Sequence, residues 1–358
     1  MIQKESQLLR VGVLGCGPIS QFAHFDATRK ARNCTLHAIC DLAPDLLQRM
    51  AAIHEPARTF ARFEDMLADD EIDAVIVATA DQFHVPLCIQ ALNAGKHVLV
   101  EKPLGISVDE CETLRTAVAA SGRFLQVGNN RRFDPGVLFA HQFIQDELGP
   151  MIAMKAWYCD STLRYTMTDN VQPLPITSAS ARKPTGNPKA DKRRYFMLTH
   201  GSHLVDSARF LGGEIAAVSA RIVERADSYC WFIDVDFASG AMGHLDLTVP
   251  LRGDFQEGFQ IYGEQGSIYA TIPLPWYFKA GHVECFSVKD RQFRRVLGED
   301  AFSYKLQLEH FADVILKGIP SVAASVEDGT AAMRAMVAIA RSVESGQKVV
   351  LSQVTGGV

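Results

Sequence analysis

The sequence predicts an α/β protein in which an amino-terminal parallel sheet over residues 1–130 is followed by an α+β domain over residues 131–358 with a large, mostly antiparallel open sheet. Three observations predict it. The first 130 residues alternate short β-branched runs (11–14, 35–40, 74–78, 98–100 and 124–127) with helix-like stretches, the rhythm of βαβ units. One of these runs, Ala74-Val75-Ile76-Val77-Ala78, has no polar alternation, as a central strand covered by helices on both faces requires. Beyond Arg131 the apolar segments (151–160, 215–222, 230–237, 241–249 and 259–270) become longer and partly alternating, which suits an antiparallel sheet. With 358 residues, 47% hydrophobic and 22% charged, the chain is long enough to bury cores for two domains.

The first apolar run leads straight into Gly15-Cys16-Gly17-Pro18-Ile19-Ser20 and then a helical stretch over 21–29. Gly15 allows a tight turn, Gly17 lets the backbone approach a pyrophosphate, and the amides at the helix start, with Ile19 among them, receive its charge. Pro18 removes one amide, but near a helix start that amide has no internal partner. Ser20 stands where glycine or alanine is usual. The second run ends at Asp41, placed to accept hydrogen bonds from both hydroxyls of an adenosine ribose. A carboxylate there repels a 2′-phosphate, so the cofactor expected is NAD in preference to NADP. This is the pattern of a Rossmann sheet.

The run 98–100 ends in Glu101-Lys102-Pro103. Proline keeps Lys102 out of the helical region, so the lysine is expected extended at the carboxyl end of a parallel strand, where open α/β sheets bind ligands. An ammonium there can bond a substrate oxygen and stabilise charge growing on it, with Glu101 orienting or neutralising it. Lys96 and His97 precede the strand and are expected at its opposite end.

Four separated motifs now resemble the glucose-fructose oxidoreductase and inositol dehydrogenase (Gfo/Idh/MocA) family: residues 12–20; Ala78-Thr79-Ala80-Asp81-Gln82-Phe83-His84; residues 94–103 with their Glu-Lys-Pro core; and Val127-Gly128-Asn129-Asn130-Arg131-Arg132-Phe133-Asp134-Pro135. The tail over 310–350 is similar too. The resemblance implies a two-domain NAD(P)-dependent enzyme acting on sugars and polyols. It also implies that Thr79 and His84 line the cofactor groove and that Arg132 sits near the domain junction. Read locally, Asp81 caps the helix after Phe83 and His84 is a satisfied hydrogen-bonding residue.

In the second half, Thr199-His200-Gly201-Ser202-His203-Leu204-Val205-Asp206 concentrates polar chemistry. If a helix begins at Ser202, His203 and Asp206 share a face, and Asp206 can fix the imidazole tautomer. A neutral histidine can take an alcohol proton at pH 7. The resemblance points to His203 as well, through the family pattern Asp-x-Gly-x-His-x-x-Asp. It departs at Thr199, where the inositol dehydrogenase type has an aspartate. Tyr158, Asp160, Tyr195 and His200 are candidate hydroxyl-binding groups. A metal set of His200, His203 and Asp206 is the weaker alternative, and no metal is expected.

The combined reading is an oxidoreductase that moves hydride between a nicotinamide and a carbinol carbon of a sugar, cyclitol or sugar derivative, with Lys102 and His203 handling the hydroxyl. NAD-assisted glycoside elimination or hydrolysis through a transient keto-sugar, and a non-enzymatic NAD-responsive sensor, are the rival classes. Residues 166–194, with four prolines and six basic residues from Arg182 onward, read as a long excursion or lid. Residues 322–345 read as a helix with a methionine and alanine stripe, expected near 325–345 to pack back on the first domain. The formal net charge of -5 argues against nucleic acid, and no apolar run is long enough to cross a bilayer. Eight dispersed cysteines suit a reduced cytoplasm. The resemblance implies a homodimer or homotetramer formed through the open sheet.

Overall fold

The computed structural model describes residues 8–161, 174–181, 186–187 and 189–358. Six parallel strands form the first sheet: β1 (Leu9–Leu14), β2 (Cys34–Cys40), β3 (Arg58–Phe60), β4 (Ala74–Val77), β5 (His97–Val100) and β6 (Leu125–Val127). Their order is β3-β2-β1-β4-β5-β6. Successive strands run outward in opposite directions from β1 and β4, so a crevice opens beyond the carboxyl ends of these two strands. β4 is wholly buried, as its unbroken apolar run requires. β3 is too short and polar to have stood out in the sequence. The helical stretch expected at 21–29 is split: a π-helical turn, Ser20–His24, runs into an α-helix, Phe25–Lys30.

The second sheet has nine strands: β7 (Met151–Ser161), β8 (Ile215–Arg225), β9 (Ser228–Phe237), β10 (Met242–Leu251), β11 (Gln256–Gly263), β12 (Gly266–Thr271), β13 (His282–Ser287), β14 (Gln292–Arg295) and β15 (Val349–Val350). The order is β14-β13-β12-β11-β7-β10-β9-β8-β15, and among the described residues only β7 and β10 of this sheet pair in parallel. The segment expected as one strand over 259–270 is a hairpin. It turns at Glu264 and Gln265, whose amides donate to Pro150 O and Leu148 O, and the apolar residues on either side made the break invisible to pattern. On β9, Trp231, Ile233 and Val235 are buried while Phe232 and Asp234 are exposed, so one face of the sheet carries the core and the other faces out.

The helix Val326–Ser345 packs between the two sheets. Ser325 and Asp328 close a capping box at its start, and Gly346 ends it in the left-handed conformation. Its Arg334 donates to Glu112 of the helix Val108–Ser121 at 2.8 Å, while Ser342 Oγ accepts from the Ala220 amide of β8 at 2.8 Å. The Met333 and Met336 stripe is core, as expected. The helix Ser303–Lys317 also covers the first sheet: Asn33 donates to Asp313 at 2.7 Å and to Glu309 O at 2.8 Å.

Of the expected excursion, residues 166–173, 182–185 and 188 lie outside the described residues. The described stretch 174–181 lies against the first domain. Gln21 donates to Ile176 O at 2.9 Å and accepts from Ile176 N at 2.9 Å, and Ser178 and Ser180 donate to Asp45.

Candidate active site

The glycine turn after β1 has the backbone that the sequence requires. Gly15 sits at φ +96°, and a Cβ on it would lie 2.5 Å from Ala78 O. A Cβ on Gly17 would meet nothing within 4 Å, so this glycine borders open space where a ligand backbone can approach. Ser20 does not merely substitute for a small residue: its hydroxyl donates to Gly15 O at 2.5 Å and holds the turn on the helix. Pro18 and Ile19 follow in the same turn, and the Gln21 amide donates to Gly17 O. Cys16 is buried, and burial pushes its thiol well above the ordinary range, so it is inert.

Asp41 already has local work. Its carboxylate accepts from the Cys16 amide and the Ala43 amide, each at 2.8 Å, which ties the glycine turn to the end of β2. Each oxygen retains a second lone pair for a ribose hydroxyl. Thr79 Oγ1 is buried and has no hydrogen-bond partner among the described residues. An orphaned hydroxyl beside the crevice, an open Gly17 and a carboxylate at the end of β2 together fit a dinucleotide.

His84 does not line the groove. It is fully buried and bridges Pro103 O at 2.7 Å and Thr79 O at 3.1 Å, which makes it a brace between two strand-end loops. Asp81 does not cap the helix His84–Asn93, which has no side-chain cap. Lys96 lies at the far end of its strand as expected and donates to Asp69 O and Ile72 O.

Lys102 follows β5 and is half-buried, with Nζ donating to Thr199 O at 3.1 Å. This contact spans from the first sheet's edge to the π-helical turn Met197–Gly201. Glu101 neither orients nor neutralises the ammonium through a direct bond. Its carboxylate bonds the buried His24 imidazole at 2.9 Å and accepts from the Lys102 amide at 3.2 Å. Burial opposes its ionisation, but the His24 hydrogen bond and the nearby charges of His24 and Lys102 hold it below the usual glutamate range.

A cavity of about 190 Å³ opens between Lys102 and the second sheet. β7 supplies Tyr158 and Asp160, the π-helical turn supplies Thr199 and His200, and the helix Ser202–Gly212 supplies His203. The His203 ring stacks on Tyr158 with centroids 5.3 Å apart and planes 7° apart, and its Nδ1 is buried without a hydrogen-bond partner among the described residues. Burial first, then the charges of Lys102, Arg131 and His200, hold His203 well below the ordinary histidine range. The shift favours the uncharged imidazole.

Asp206 does not fix the His203 tautomer. It faces Arg132, accepting from Nε at 3.0 Å and from Nη2 at 2.7 Å. Arg132 also donates to Asp328 at 3.3 Å and lies over the Phe210 ring, so it joins the segment after β6 to two helices of the second domain. The junction role expected for Arg132 explains where Asp206 went: a buried guanidinium demands a carboxylate more than an imidazole does. With Asp206 turned away, His200, His203 and Asp206 do not converge as a metal set. Tyr195 contributes its carbonyl to Thr199 and is not part of the cavity wall.

Sequence reasoning missed Asn130, Arg131, Trp276 and Tyr304, all of which line the cavity. Arg131 donates to Pro273 O at 3.1 Å and pairs with Glu257 at 2.5 Å. Burial lifts the Glu257 carboxyl to about 7, with Arg131 pulling it back down. The signal available was Glu257 itself, a carboxylate at the inward-facing parity of Phe259 and Ile261 on β11. Trp276 stacks on Tyr304 at 5.3 Å, a contact between residues 28 positions apart that no local pattern reveals.

Two family descriptions match the chain: residues 9–129 match the NAD-binding Rossmann fold of an oxidoreductase family, and residues 194–351 match its C-terminal alpha/beta domain. The scyllo-inositol 2-dehydrogenase (NAD(+)) of Bacillus subtilis is 29% identical over 307 residues, covering 80% of this chain and 80% of that protein. The inositol 2-dehydrogenase of Rubrobacter xylanophilus is 24% identical over 353 residues, covering 96% of this chain and 93% of that protein. Levoglucosan dehydrogenase in complex with NADH has the same fold, with a TM-score of 0.79 at 22% identity, covering 97% of this chain and 100% of that one. The chain belongs to the Gfo/Idh/MocA oxidoreductase family, with an amino-terminal NAD-binding Rossmann domain and the family's C-terminal alpha/beta domain.

Proposed function

We propose that this oxidoreductase interconverts a secondary alcohol and a ketone on a sugar, cyclitol or sugar derivative, with NAD preferred over NADP. One observation carries the reading: the Lys102 ammonium and the neutral His203 imidazole line the same cavity at the carboxyl edge of the Rossmann sheet. The nicotinamide supplies the hydride acceptor or donor when bound. His203 takes the hydroxyl proton, because its burial and its cationic neighbours keep it unprotonated. Lys102 donates to the same oxygen and stabilises the negative charge that grows on it. Tyr158 holds the His203 ring by stacking, and Asp160, Asn130 and Arg131 offer the polar groups that a polyhydroxylated ligand needs. The inositol and levoglucosan dehydrogenases among the similar proteins support the substrate class. The carboxylate of Asp41 supports NAD.

The outward face of the second sheet exposes Phe232, Tyr269 and Phe293, which supports association with a second copy through this face. All eight cysteines are free thiols, which supports a reducing compartment. No helix among the described residues is long and apolar enough to cross a membrane. The test is a reduction screen with NAD and NADP over cyclitols, aldoses and anhydrosugars, repeated with Lys102→Ala. NAD-linked turnover that collapses in the variant supports the proposal. Absence of turnover on every member of the screen, by a protein shown to bind NAD, overturns it.

A further inference from the structure

A segment of the second domain is fastened to the cofactor rim of the first. Residues 174–181 follow β7 and precede the helix Lys192–Phe196, and both of these elements belong to the second domain. The segment's hydrogen bonds to Gln21 and Asp45 nonetheless lie on the Rossmann domain. Gln21 clamps the Ile176 backbone at two points, 2.9 Å each, and the same side-chain amide donates to Cys16 O at 2.8 Å, so this anchor is tied to the glycine turn itself. At the other end, the Ser178 and Ser180 hydroxyls donate to Asp45 Oδ1 at 2.6 and 2.9 Å. Asp45 stands in the first turn of the helix Pro44–His54, two residues past Ala43, whose amide bonds Asp41. The bond from Cys16 N to Asp41 Oδ2 is the seam between the glycine turn and the end of β2, and the two anchors flank it. Ile176 and Ala181 are half-buried against the first domain's core, alongside Ile19 and Leu47.

We propose that residues 174–181 form a latch over the adenosine half of the dinucleotide site, one that must release Gln21 and Asp45 before NAD enters or leaves. The seam beneath it is where Asp41 keeps lone pairs for ribose hydroxyls. The latch borders the site without filling it, since the space at Gly17 stays open. Long excursions of this kind commonly serve as lids. This one is built to open. Its hold consists of a few polar contacts at the surface and two half-buried apolar side chains, with Leu174, Thr177, Ala179 and Ser180 exposed, and such a segment detaches at small cost while the domains stay folded. The latch closes on free and loaded protein alike, so weakening it multiplies entry and exit by the same factor and leaves the affinity unchanged. A residue that touches the dinucleotide behaves otherwise: its loss speeds exit and weakens binding. The inference rests on the family's NAD-binding fold and needs no particular substrate.

The experiment is stopped-flow measurement of NADH binding to the full chain and of its release, followed by NADH fluorescence. The double variant Ser178→Ala/Ser180→Ala removes the latch side of the contact, and Asp45→Ala removes the rim side. Either variant deletes two hydrogen bonds to a carboxylate, so kon and koff should each rise about three- to tenfold, with Kd within about twofold. Circular dichroism should show a normally folded chain in both, because these contacts lie at the surface. Rates unchanged in either variant overturn the proposal. So does a rise in koff alone with a matching loss of affinity, which makes the segment a direct contact of the dinucleotide. An unaltered chain that binds no NADH also overturns it. These measurements use no sugar, so their outcome is separate from that of the substrate screen.

Discussion

Replacing Asp206 by asparagine separates two accounts of one carboxylate. The bidentate Arg132–Asp206 pair is almost completely buried, with side-chain exposures of 5% and 2%. Removing one charge from such a pair leaves the other uncompensated, at a cost of about 3–5 kcal/mol. Asp328, 3.3 Å from Arg132 and also bonded by Arg209, remains as a partial counter-charge and places the expected loss near the lower end. A chain of 358 residues unfolds with an entropy of about 0.75 kcal/mol per kelvin, so a loss of about 3 kcal/mol lowers Tm by about 4 °C. Thermal unfolding followed by circular dichroism reads this directly. Turnover at 25 °C should stay within about threefold, because Asp206 touches neither His203 nor the cavity. An unchanged Tm combined with a loss of about 100-fold or more in kcat would refute the reasoning and return Asp206 to the imidazole.

Lys102→Ala should lose at least about 100-fold in turnover on a confirmed substrate, the usual range for removing an electrostatic or proton-handling group; a loss of tenfold or less would exclude the ammonium from the chemistry. Because His203 is depressed below 6.5, the acidic limb of kcat/KM should lie below that pH, and a limb above pH 7 would contradict a neutral buried base. The same depression makes the unfolded chain bind the proton more readily. Stability should therefore fall as the pH drops below 6.5, and a rise there would contradict the sign. Gly15→Ala should misfold the turn, with its Cβ 2.5 Å from Ala78 O at φ +96°, whereas Gly17→Ala should fold normally and bind NAD more weakly; calorimetry showing equal NAD affinity for Gly17→Ala would contradict the placement of the pyrophosphate. Asp41→Ala should shift preference toward NADP while loosening the Cys16 and Ala43 amides, and an unaltered NADP-to-NAD ratio of kcat/KM would remove Asp41 from the ribose site.

The parallel sheet was legible because its inner strands are buried on both faces and read as apolar runs, and the cofactor turn because glycine at 15 answers a backbone need that few other residues meet. The place of Lys102 at the end of β5, on the cavity wall, was legible from the proline that follows it. What escaped were choices made by distant partners. Spacing alone put Asp206 beside His203, but Arg132, 74 positions earlier, competes for it and wins through two hydrogen bonds. Glu101 was read with its neighbour Lys102, while its strongest partner is His24, 77 positions away. His84 looked like a groove residue and is a buried brace, because two carbonyls from separate loops converge on its ring. The hairpin within 259–270 was hidden by apolar residues on both of its strands. Arg131 escaped because its partner Glu257 lies on β11, far along the chain, and the carboxylate at an inward-facing position of that strand was the signal left unread.

The most direct test is a crystal structure of the chain with NADH and an unreactive analogue of a confirmed substrate. Lys102 Nζ and one ring nitrogen of His203 should both lie within about 2.6–3.2 Å of a single substrate oxygen, the one on the carbon facing the nicotinamide. Finding that oxygen bonded to neither group, or the two groups on different substrate oxygens, would contradict the account.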